Sequence, residues 1–119
     1  MNQKVTSQIR EACLWAKANG HKLLSGGAWY DFTTTPWGCD ALGALLLQQK
    51  LVTKPNGPEG LSGLVKATLD VDDFWLRRFW LGWDRGYQVM ITKSEKDKEI
   101  ESKDDVSAFG ISLRKEMSK

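Results

Sequence analysis

Hydrophobic positions recur along this chain in several rhythms, and each rhythm implies a different element. Val5, Ile9, Ala12, Cys13 and Ala16 fall on one stripe of a helix, with Arg10 and Lys17 opposite. Gly20 follows, where a glycine predicts a left-handed cap. From Leu23 to Pro36 the helical period fails. Ser25-Gly26-Gly27 precede Ala28-Trp29-Tyr30-Asp31-Phe32 and a run of threonines, which predicts a loop with one short strand over Trp29 to Thr33. Thr35 before Pro36 forms an N-cap and first-turn pair, so a helix is expected to begin there and run to about Gln49. Cys39, Ala41, Leu42, Gly43, Ala44, Leu45, Leu46 and Leu47 make that helix apolar almost all the way round, which belongs in the middle of a fold.

Lys54-Pro55-Asn56-Gly57-Pro58 is the clearest break in the pattern. A short helix is expected from Glu59 to Leu69, with Asp70 or Asp72 capping the next one. At 100° per residue, Trp75, Leu76, Phe79, Trp80 and Trp83 gather on one broad face, while Arg77, Arg78, Asp84 and Arg85 gather on the other. Gly86 is expected to close this amphipathic helix, and Tyr87 to Thr92 alternates enough to predict a short strand. Between Lys93 and Lys103 four lysines are interleaved with acids, six of which run from Glu95 to Asp105, so residues 93–105 read as an exposed mixed-charge loop. Asp105 then caps a last helix with Val106, Phe109, Leu113 and Met117 as its apolar stripe.

These elements predict a mainly α, single-domain bundle over residues 1–119, with four to five helices around the leucine-rich one and at most a small β-ribbon. The longest apolar run, Ala41 to Leu47, is far too short to span a bilayer, and no membrane association is expected. The first residues lack the apolar stretch of a secretory signal, which points to the cytoplasm. A net charge of +2, with the basic residues dispersed, is too small to argue for a nucleic-acid partner by itself. Weak binding through Arg77, Arg78, Arg85, Lys50 and Lys54 ranks below the other readings. One histidine and two separated cysteines leave too few ligands for a metal site, and no cofactor motif is present; the glycines at 57, 60 and 63 do not follow a strand as a phosphate loop requires.

Two kinds of chemistry remain. Cys39 at the start of the leucine-rich helix sits where a thiol pKa falls, and a cysteine hydrolase or transferase there would need His21 as base, oriented by Asp31 or Asp40. The simpler reading makes Cys39 a packed hydrophobe and His21 a loop residue. Asp84 lies near a helix C-terminus, where a carboxylate is disfavoured unless a cation such as Arg77 or Arg85 compensates; it is a structural ion pair, a polar contact beside Trp80 and Trp83, or, like Cys39, the centre of a small hydrolase or transferase. Packing alone accounts for an aromatic helix, since each large ring contributes roughly 2 to 3 kcal/mol when buried. Six tryptophans nevertheless exceed what a core of this size needs, so at least one of Trp29, Trp37 and Trp83 is expected to stay partly exposed. A non-enzymatic binding module follows, with Trp29, Trp37, Trp80, Trp83, Asp84 and Arg77 as candidate contacts. Its partner is another protein or a second copy of the chain.

Cys39-Asp40-Ala41-Leu42-Gly43-Ala44-Leu45, then Leu69-Asp70-Val71 leading into Trp75, Phe79, Gly82, Trp83 and Asp84, and later Ala108-Phe109-Gly110 before Leu113-Arg114, carry a resemblance. Their order resembles small bacterial and phage-associated proteins that pair a Cys-x-x-Gly-Ala helix with a Phe-x-x-Gly-aromatic-Asp helix end and an aromatic-x-x-Gly-x-x-Leu closing helix. The likeness runs from Trp37 onward, about two thirds of the chain, and implies no catalytic residue. In the closing motif it departs from that form, because Gly110 directly follows Phe109.

Overall fold

A computed structural model of the protein describes residues 2–54, 60–92 and 104–118. The Lys54 to Pro58 turn falls outside the described residues from position 55, and the mixed-charge segment does so up to position 103. Among the described residues the architecture is mainly α, with five helices and one two-stranded antiparallel ribbon. The chain divides into two compact units, Asn2–Asp72 and Asp73 onward.

In the first unit, helix α1 (Gln3–Ala18) starts on Asn2, whose side chain accepts from the Lys4 amide at 2.8 Å. It ends as Gly20 takes φ +80° and the His21 amide donates back to the Ala16 carbonyl, which satisfies carbonyls the helix leaves open. Val5, Ile9, Ala12, Cys13 and Ala16 are buried, as their spacing predicts. Strands β1 (Tyr30–Asp31) and β2 (Gly38–Cys39) pair antiparallel, Tyr30 opposite Cys39 and Asp31 opposite Gly38. The turn between them includes a cis Thr35–Pro36 bond.

The leucine-rich helix α2 (Ala41–Gln48) starts later than expected. Thr34, in the run expected to open it, instead holds the turn, its Oγ1 donating to the Pro36 carbonyl and accepting from the Gly38 amide. The cap is Asp40, which accepts from the Gly43 amide at 2.6 Å. Ala41 to Leu46 are all buried, and α2 packs against both α1 and α3 (Leu61–Leu69). The helix expected from Glu59 begins at Leu61 because Gly60, with φ +81°, supplies the turn into it. Asp70 does not open the following helix; it closes α3 at φ +56°, its amide bound to the Lys66 carbonyl.

In the second unit, helix α4 spans Asp73–Thr92, so the expected stop at Gly86 and the strand over Tyr87 to Thr92 are overturned. The glycines serve a different purpose. A methyl group on Gly82 would lie 2.1 Å from the Ser107 carbonyl oxygen, one on Gly86 2.8 Å from that of Ile111, and one on Gly110 2.6 Å from that of Phe79. Helices α4 and α5 (Asp105–Met117) thus meet backbone to backbone, and side chains longer than hydrogen would force them apart. The cap of α5 is Asp104, one residue earlier than expected; its Oδ1 accepts from the Val106 amide at 3.1 Å. Arg78 grips the same carboxylate with two nitrogens, Nε at 2.7 Å from Oδ2 and Nη2 on Oδ1. Ser107 Oγ closes the group by donating to the Arg78 carbonyl at 3.0 Å. Of the stripe predicted on α5, Val106, Leu113 and Met117 are buried and Phe109 is half-buried, its ring centroid 5.8 Å from that of Phe79.

Candidate functional site

The ribbon of the first unit carries an aromatic cluster that projects from its turn. Tyr30 anchors it: its hydroxyl donates to the Gly43 carbonyl at 3.0 Å, and Gly43 is glycine because a methyl there would stand 2.7 Å from the Trp29 carbonyl and 3.0 Å from the Tyr30 ring. Burial, reinforced by the negative charge of Asp40, raises the Tyr30 pKa, so this phenol stays protonated and serves as a donor. Phe32 stacks on Tyr30 at 5.5 Å and stands edge-on to Trp37 at 4.7 Å, while Trp37 meets Tyr30 at 6.2 Å. These are the offset and edge-to-face arrangements that ring quadrupoles favour. Phe32 is 36% exposed, and Trp29 and Trp37 are half-buried. Beside them the Asp31 carboxylate accepts from both the amide and the hydroxyl of Thr33, which holds it below the usual carboxylate range and therefore charged.

His21 lies beside this ribbon and Cys39 within it. The His21 ring stacks on Trp15 at 5.4 Å, and its Nδ1 lies 2.7 Å from the Trp37 carbonyl, so one ring nitrogen is committed to bracing the loop. Cys39 is not in the first turn of a helix. It lies in β2, where its amide donates to the Lys22 carbonyl and its own carbonyl accepts from the Leu24 amide, both at 2.9 Å. The side chain is fully buried, and burial together with the adjacent negative Asp40 pushes the thiol up to about 12. A nucleophilic thiol needs the opposite: an accessible sulfur and a lowered pKa. Burial and the raised pKa both run against a nucleophilic role for Cys39.

Helix α4 separates its candidate residues by face. Trp83, expected among the surface contacts, is fully buried: Phe79 stacks on it at 6.2 Å, and the buried Arg114 guanidinium lies 5.2 Å from its ring. It lies on the side that α5 covers, next to Gly82, which explains why it cannot reach solvent. Trp80 and Asp84 are half-buried, and Arg77 is exposed. Phe74 and Leu81, which the helical wheel leaves off the apolar face, are 66% and 69% exposed. Of the arginines offered as nucleic-acid contacts, Arg78 is committed to Asp104, and its guanidinium also covers the Phe74 ring at 4.9 Å.

Residue pattern alone singled out Trp29 and Trp37 but missed Phe32, the most exposed ring of the hairpin. The i, i+2 relation of Tyr30 and Phe32, which places both on one face of an extended segment, is the signal that identifies it. Among the described residues no group of three or more His, Cys, Asp or Glu is placed to hold a metal, and no helix is long and apolar enough to cross a membrane. No family model, curated protein or solved structure matches the chain.

Proposed function

We propose that this protein is a non-enzymatic interaction module that engages a protein partner through the aromatic hairpin of residues 29–37. One observation carries this reading: Phe32 stays 36% exposed although it packs on two neighbouring rings, Tyr30 and Trp37. A preformed aromatic surface contributes contact area without the entropic cost of ordering a loop on binding. Protein interfaces favour this kind of residue at their centres. The sealed Cys39 and the structural role of His21 support a binding role over a hydrolytic one.

The test is capture of partners by tagged wild-type protein and by Phe32→Ala, followed by reconstitution with the purified partner. A partner that binds wild type directly and Phe32→Ala at least about tenfold more weakly, with the far-UV circular dichroism melt unchanged, is the expected result. Equal binding by Phe32→Ala removes the hairpin from the interface, and turnover of an ester or peptide that Cys39→Ala abolishes removes the binding reading itself.

A further inference from the structure

With the hairpin as the interface, a premise carried over from the proposed function, its aromatic face narrows the chemistry of the partner. Tyr30 and Phe32 alternate with Asp31, so the carboxylate belongs to the other face of the ribbon, where a methyl on Gly38 would stand 3.2 Å from the Asp31 side chain. The face made by Tyr30, Phe32 and Trp37 is therefore uncharged. Its polar atoms are few. The Tyr30 hydroxyl is committed to the Gly43 carbonyl at 3.0 Å, and the Trp37 carbonyl accepts from His21 Nδ1 at 2.7 Å. The Trp37 indole N–H has no hydrogen-bond partner among the described residues. No buried side-chain nitrogen there lacks one, so this donor is open to solvent. Beside it the exposed Phe32 ring stands at 87° to the indole, with centroids 4.7 Å apart, and the two rings bound a corner that has an unused donor on its rim.

We infer that this corner binds a proline-rich segment of the partner in the polyproline II conformation. Such a segment has the complementary electrostatics. Prolines carry no N–H, so their backbone presents carbonyl oxygens alone, and in polyproline II none of these is taken by an internal hydrogen bond. Each is an acceptor for an indole donor that finds none in its own chain. A pyrrolidine ring is compact, uncharged and already ordered, and it packs on the electron-rich faces of aromatic rings at little entropic cost. Other modes of peptide recognition fit this face less well. A charged helix finds no counter-charge on it, and a partner added as a β-strand finds β1 only two residues long.

Titration of the isotopically labelled full chain with synthetic decaproline, followed by NMR of the indole N–H groups, tests the inference. The Trp37 indole resonance, assigned by its loss in Trp37→Phe, is expected to shift saturably with millimolar peptide, while those of Trp75, Trp80 and Trp83 in the second unit stay in place. Trp37→Phe keeps a ring and loses the donor, and is expected to bind at least about fivefold more weakly. Phe32→Ala, which removes one wall of the corner, is expected to bind at least about tenfold more weakly. Decaproline built from D-proline has the same composition and the opposite hand, and is expected not to bind. No shift at Trp37 up to millimolar peptide, equal shifts from the two enantiomers, or wild-type affinity in Trp37→Phe overturns the inference. Its failure is separable from that of the hairpin reading. A captured partner that requires Phe32 while decaproline stays silent leaves the aromatic interface standing and overturns only its proline-rich occupant, whereas a partner that binds Phe32→Ala as well as wild type removes both.

Discussion

The two units solve the same packing problem with opposite materials. In the first, α2 buries six consecutive small and aliphatic residues, Ala41 to Leu46, against helices on either side. In the second, the two described helices meet by removing side chains at the crossing and stacking rings beside it. Gly82, Gly86 and Gly110 bring the backbones together, and Trp75, Phe79, Trp83 and Phe109 fill the flanks. Where two backbones touch, an added side chain has nowhere to go, so each residue at that contact is sensitive to substitution. Tolerance to substitution is therefore expected to differ sharply between the units, even at residues of the same type.

Glycine is the cleanest probe of that difference. The largest effect is expected for Trp83→Ala, which removes a fully buried ring and its stacking partners and costs about 4 kcal/mol. Gly82→Ala follows at about 3 kcal/mol, because the added methyl meets a backbone carbonyl rather than a flexible side chain. Urea unfolding followed by far-UV circular dichroism measures both, and a Gly82→Ala variant as stable as wild type contradicts the close crossing. In the first unit Gly63→Ala is expected to reverse the sign and stabilise by about 0.5 to 1 kcal/mol, since open space surrounds that position on a helix.

An intermediate effect is expected at the start of α5. The Arg78 hydrogen bonds hold the Asp104 carboxyl below its ordinary value of 3.8, so the carboxylate contributes stability that is complete above that pH and fades as acid protonates the folded form. Asp104→Asn keeps a capping side chain but loses the charge. It is expected to cost about 1 kcal/mol at neutral pH, a modest amount because the pair is partly open to solvent. Its deficit relative to wild type should shrink as pH falls below 3.8. A deficit constant from pH 7 to pH 2 is the contrary result, to be read from denaturation midpoints along a pH series.

The buried thiols sharpen the comparison further. Cys13 and Cys39 both lie in the first unit, fully covered, with Cys39 raised to about 12. Native protein at pH 8 is expected to resist Ellman's reagent, and the labelling rate at low denaturant then reports opening around those two thiols. Fluorescence of a variant with Trp15, Trp29 and Trp37 replaced by Phe, which keeps only Trp75, Trp80 and Trp83, reports the other unit. Rapid labelling of Cys39 in native protein runs against the sealed position described here.

Periodicity found the helices because amphipathic burial leaves a regular mark: the α1 stripe is buried as spaced, α2 lies within the apolar run that predicts it, and of the aromatic face of α4 Leu76, Phe79 and Trp83 are buried while Trp75 and Trp80 are half-buried. Local signals failed where two readings of one residue compete. Thr35-Pro36 has the form of a helix start, but the helix begins at Asp40 because that side chain reaches the Gly43 amide. Gly86 has the form of a helix stop, but lies within a helix because a second backbone passes against it. The candidate contacts divided in the same way. Trp29 and Trp37 kept part of their surface, whereas Trp83 lost all of it to Phe79 and Arg114.

What this sequence determined by itself is the mainly α class and the apolar faces, because both follow from the 3.6-residue repeat and need no knowledge of a distant neighbour. Only tertiary structure decided which glycines turn the chain and which let two helices touch, and which aromatic rings end up inside. Those outcomes depend on groups far away in sequence: Ser107 over Gly82, Trp29 over Gly43, Arg114 over Trp83. A glycine's missing side chain and a tryptophan's large one look the same in the sequence whatever faces them, and what faces them is set by how the helices cross.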